Sequence, residues 1–147
     1  MNKIVAAVAL ALLAGAAQAD TSLMVFGTSH HFNTQGQKYN EFNYGLGLEW
    51  QPQDSGWLIG GFALRDSLYN TGFAAYGGYR FRHEFDSGFH VEATLRAGYL
   101  RDAKFAGAAV VPSIGFGYKR VTFETTFIPA VHGNHVPTLV LWARIKF

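Results

Sequence analysis

The sequence predicts an all-β chain: an eight-stranded antiparallel transmembrane β-barrel behind a cleaved signal peptide. Three observations predict it. Apolar and polar residues alternate with period two over nearly all of the chain beyond residue 20, the signature of strands with one apolar face. Hydrophobic residues make up 49% of the chain and charged residues 15%, where a soluble domain carries about 25% charged. Yet past the N-terminus no run stays apolar over the roughly 18 residues that a membrane helix needs.

The first 19 residues read as the leader. Lys3 supplies the positive start, Ile4 to Ala17 the apolar run, and Ala17-Gln18-Ala19 an A-x-A cleavage site before Asp20. The mature barrel is then 20–147. Strands are expected at about 22–32, 41–51, 57–66, 71–84, 88–100, 107–118, 120–129 and 137–147, each near the ten residues that cross a bilayer when tilted. In strand two, Phe42, Tyr44, Leu46, Leu48 and Trp50 share one face; Glu41, Asn43, Gly45, Gly47 and Glu49 share the other. Strand five alternates in the same way from Phe89 to Tyr99. In strand eight Leu139, Leu141, Ala143, Ile145 and Phe147 oppose Trp142, Arg144 and Lys146. Backbone groups in lipid must pair among themselves, so such a sheet has to close. The apolar face then meets lipid. Glu49, Glu92, Arg96, Glu124 and Arg144 line the lumen and pair there.

With both ends on the periplasmic side, the connections near 33–40, 66–70, 101–106 and 130–136 are the outer loops, and the others are short turns. The formal net charge is only +2, of which Lys3 in the leader supplies one. With no basic run, nucleic acid is not an expected partner. There is no Cys, which removes disulfides and thiolate metal sites.

The reactive residues gather at the outer end. His30 and His31 close strand one, Asp66 and Ser67 close strand three, and Arg101, Asp102 and Lys104 lie in the third outer loop. Hydroxyl, imidazole and carboxylate are the parts of acyl-transfer catalysis. They are equally what any barrel rim carries where water begins. His132-Gly133-Asn134-His135 offers two imidazoles with no third ligand at a recognisable spacing, so no metal is expected. Small residues on the predicted inner face, namely Gly61, Ala63, Ala74 and Gly78, leave room for an acyl chain above a floor such as Trp57 or Trp142. The plainer account is relief of strain by Gly. Pro112 and Pro129 fall inside strands six and seven, where proline removes a ladder donor, so a weak seam is expected between them.

The run Gly117-Tyr118-Lys119-Arg120-Val121-Thr122-Phe123-Glu124-Thr125-Thr126-Phe127-Ile128-Pro129, the closing Leu141-Trp142-Ala143-Arg144-Ile145-Lys146-Phe147, Pro112, Phe62-Ala63-Leu64-Arg65-Asp66-Ser67 and Tyr39-Asn40-Glu41 together resemble the lipid A palmitoyltransferase (PagP) family. The resemblance implies transfer of a palmitoyl chain from a phospholipid donor to lipid A in the outer membrane of a Gram-negative bacterium. It implies a monomer, inserted by the barrel assembly machinery and using no cofactor. His31, Asp66 and Ser67 would form the active site, the lumen would measure the chain, and Pro112 and Pro129 would admit lipid sideways. Either His30 or His31 can match the family's histidine. His31 is favoured because it shares a face with Ser29, opposite Phe26 and Phe32. Two other functions are weighed: a lipid A deacylase, whose His-x-Ser-Asn pattern Val131-His132-Gly133-Asn134 lacks, and a non-enzymatic barrel for adhesion or membrane integrity.

Overall fold

A computed structural model describes residues 19–34, 36–130 and 136–147. Eight antiparallel strands follow one another: β1 (Ala19–His31), β2 (Phe42–Pro52), β3 (Trp57–Arg65), β4 (Thr71–Glu84), β5 (Phe89–Arg101), β6 (Ala106–Tyr118), β7 (Val121–Ile128) and β8 (Thr138–Lys146). Each pairs with the next, and β1 pairs back to β8, so the sheet closes into a barrel. Ala19, the last residue of the expected leader, already pairs with Pro52. The rest of that leader lies outside the described residues. The rim at which β1, β3, β5 and β7 end is called the upper rim below.

The period-two pattern produces a barrel that is apolar outside and polar within. Phe42, Leu46, Trp57, Phe81, Ile114 and Phe123 all point outward and are exposed. Glu49, Arg80, Glu92, Arg96, Glu124 and Arg144 point inward and are buried. This inverts the arrangement of a soluble barrel, whose apolar face fills the core.

In the lower half these charges fill the interior. Glu49 accepts from Arg80 Nη2 at 2.5 Å and from Arg96 Nε at 2.7 Å. Glu124 accepts from Arg96 Nη2 at 2.8 Å and from Arg144 Nε at 2.7 Å. Glu92 accepts from Arg144 and, at 3.1 Å, from Arg82 Nη1. A buried carboxylate survives only with partners of this kind, since desolvation would otherwise neutralise it. Above the charges lies an apolar layer of Met24, Phe26 and Trp142, with Phe62 and Tyr76 packed against it. The Arg96 guanidinium joins the two layers, 5.5 Å from the Trp142 ring and 5.7 Å from the Tyr76 ring. Above that layer the wall formed by β4, β5 and β6 carries smaller side chains. Ala74, Leu100, Ala109 and Val111 point inward there, and each keeps part of its surface accessible.

Four expectations about facing are corrected. Gly61 and Ala63 point outward, because their cross-strand partners Leu48, Leu46 and Phe73 are on the exposed face and Leu58 is the buried residue of β3. Gly61 and Ala63 have the same parity as Ser67, but β3 ends at Arg65 and Ser67 lies in the turn beyond, where alternation no longer holds. Trp57 points outward, while Trp142 is buried in the inner apolar layer. Phe26 faces inward like His31, because the register of β1 shifts between Phe26 and Thr28 against both of its neighbours. Such an irregularity adds a residue and reverses the faces beyond it. Pro129 lies just past the end of β7 rather than inside it.

Candidate functional site on the upper rim

The last residue of β1 is His31, turned inward by that register shift and 7% exposed. Its ring lies flat on Tyr39, with centroids 4.5 Å apart and planes inclined by 9°. Its Nδ1 is buried and has no hydrogen-bond partner among the described residues. His30 points the other way, its side chain 60% exposed and its Nδ1 3.1 Å from Glu41 Oε1. Of the two histidines, only His31 therefore presents its imidazole to the interior.

Asp66 and Ser67 open the turn after β3. Asp66 is buried, and both of its carboxylate oxygens are used. Oδ1 accepts the Leu68 and Asn70 amides at 2.8 Å each, and Oδ2 accepts the Ala103 amide at 2.9 Å. An aspartate that accepts amides two and four residues ahead is a turn-former. Here it also ties the turn to the loop after β5. The fold thus gives Asp66 the work of holding two loops together. Ser67 is half-buried, and its carbonyl accepts the Asn40 amide at 2.9 Å. Its hydroxyl makes no hydrogen bond among the described residues, and none joins Ser67 or Asp66 to His31.

A third loop completes the rim. Asp102 Oδ1 accepts the Lys104 amide at 2.7 Å and the Phe105 amide at 2.8 Å. The turn so formed sets the Lys104 ammonium 5.4 Å from the Tyr39 ring centre. Tyr39 and Asn40, which reasoning from side-chain chemistry passes over, are the residues that touch both His31 and the Asp66–Ser67 turn. Their sequence signal is the run Tyr39-Asn40-Glu41 at the entry to β2, not their side-chain chemistry. His132 and His135 fall outside the described residues. Among the described residues no three His, Asp or Glu stand close enough to hold a metal ion.

No known family model matches the chain, and no curated protein matches its sequence.

Of the expected lumen residues, Ala74 points inward in the upper part and keeps part of its surface accessible. Gly78 faces inward lower down, beside Leu58 and Arg96 and beneath Tyr76, so it borders the floor. The β6–β7 seam is open above Pro112. The ladder stops at Ile114↔Thr125, although β6 continues to Ala106 and β7 to Ile128. The Thr126 hydroxyl donates to the Pro112 carbonyl at 2.5 Å. In an antiparallel strand the C=O and N of one residue point to the same side, so the donor that Pro112 lacks is missing on the β7 side. A groove of about 490 Å³ opens there, lined by Pro112, Ser113, Ile114, Thr125, Thr126 and Phe127 among others.

Proposed function

We propose that the chain spans the outer membrane of a Gram-negative bacterium and moves a palmitoyl chain from a phospholipid to lipid A. One observation carries the reading. The interior is filled with paired charges below, while above the Met24–Phe26–Trp142 layer the wall of β4, β5 and β6 carries smaller, partly accessible side chains, beneath a rim that brings His31 and Ser67 to the same end. A barrel serving only as a scaffold has no reason to line one wall of its upper interior with small, partly accessible side chains. The exposed apolar exterior supports the membrane, because a patch of that extent on a soluble monomer would aggregate.

In this reading a phospholipid enters through the β6–β7 gap, and its acyl chain runs down along Ala74 and Ala109 to the Phe26–Phe62–Trp142 layer. Its ester then lies at the upper rim. His31 takes the proton from the attacking hydroxyl. The hydroxyl oxygen bonds to the ester carbonyl carbon, and the ester C–O bond breaks. The proton goes to the departing lysophospholipid oxygen, so the exchange needs no further reactant. Ser67 either forms the first acyl ester or orients the acceptor hydroxyl. Asp66 keeps the turn in place.

The test is mass spectrometry of lipid A from cells expressing the protein. The expected result is one added palmitoyl group, absent in His31→Ala and Ser67→Ala. Unchanged lipid A from folded protein would reject the activity.

A further inference from the structure

Three upper loops meet at Tyr39 and Asn40. Tyr39 lies flat on His31, with the Lys104 ammonium over the same tyrosine. Its neighbour Asn40 is bound to the other half of the site. The Asn40 amide donates to the Ser67 carbonyl at 2.9 Å, and Asn40 Nδ2 donates to the Asp66 carbonyl at 3.3 Å and to the Phe42 carbonyl at 2.8 Å. The loop that carries Lys104 is anchored to the Asp66 carboxylate through the Ala103 amide. His31 has no direct bond to Ser67 among the described residues. Ser29 and Asn43 tie the same strands just below, with Asn43 Nδ2 donating to the Arg65 carbonyl at 3.0 Å, but it is Tyr39 that stacks on the His31 ring.

We propose that Tyr39 and Asn40 are positioning residues that hold the His31 imidazole at a set distance and angle from Ser67. The proposal rests on the acyl-transfer reading. A flat stack covers a face of the imidazole and not its edge, where both nitrogens lie, while denying the ring rotation out of plane. The Tyr39 hydroxyl donates only to Gln37 Oε1, at 2.7 Å, so the ring face matters and the hydroxyl does not. Asn40 supplies the fixed end, because its side chain closes on the start of β2 and on the turn after β3 together. Displacing a general base by about 1 Å costs up to about a hundredfold in rate.

The experiment compares wild type, Tyr39→Phe, Tyr39→Leu and Asn40→Ala in detergent micelles, with two readouts. The first is kcat and KM for acyl transfer. Tyr39→Leu and Asn40→Ala should lose about ten- to a hundredfold in kcat with KM little changed, and Tyr39→Phe should restore the wild-type rate. The second is the NMR position of the His31 ring protons. The Tyr39 ring current should shift them upfield in wild type and Tyr39→Phe but not in Tyr39→Leu. An active wild type with Tyr39→Leu equally fast, or with the His31 resonance unmoved, overturns the positioning role and leaves the acyl-transfer reading standing. A folded wild type that transfers no acyl chain overturns the acyl-transfer reading and this inference with it.

Discussion

Two neighbouring histidines on the rim have opposite fates. His30 is on the surface beside Glu41, and His31 is buried against Tyr39. His30→Ala should therefore leave acyl transfer unchanged, while His31→Ala should abolish it; initial rates on one lipid substrate measure both. Asp66 makes a separate case. In Asp66→Asn the amide oxygen can still accept the Leu68 and Asn70 amides, but its NH2 then faces the Ala103 amide. Leaving that donor unsatisfied costs about 1–3 kcal/mol. Hydrogen exchange at Ala103 should accelerate accordingly, while the barrel amides keep their protection. The residue types at this rim were legible in the sequence, because hydroxyl, imidazole and carboxylate can be named without a structure. What joins them was not. The Tyr39 stack and the Asn40 bonds connect loops whose approach depends on barrel closure, and no local pattern encodes that.

At the scale of the strands, the period-two alternation placed all eight within a few residues of where they lie. It failed where the alternation itself was interrupted. The register shift in β1 between Phe26 and Thr28 puts Phe26 on the inner face with His31, and the end of β3 at Arg65 breaks the parity between Ser67 and the outward Gly61 and Ala63. One added or missing residue reverses every face beyond it. Proline was a better guide, since its missing donor acts wherever it stands. The β6–β7 ladder stops at Ile114, two residues from Pro112. Pro112→Ala would return an N–H to the β7 side of the seam. The variant should be more resistant to unfolding and severalfold slower on phospholipid held in a bilayer. Rates on bilayer vesicles against a micellar donor measure this; equal slowing on both would assign the effect to the site and not to the seam.

For the whole molecule, the lower interior is a plug, and in the proposed reading the upper interior is a slot. The plug depends on every charge having its partners. Glu49→Gln removes the charge that faces both Arg80 and Arg96, and breaking such a buried pair costs about 3–5 kcal/mol. Urea unfolding of the reconstituted barrel should show that loss. The slot sits above, and its lining, not its polarity, should set which chain is transferred. The deciding measurement is the length of the acyl group added to lipid A by wild type, Ala74→Leu and Ala63→Leu, read by mass spectrometry. Ala74 points into the slot and Ala63 away from it. Palmitoyl transfer by wild type and Ala63→Leu, with a shorter chain from Ala74→Leu, is the predicted result. One unchanged length in all three, or no added chain in any, would contradict it.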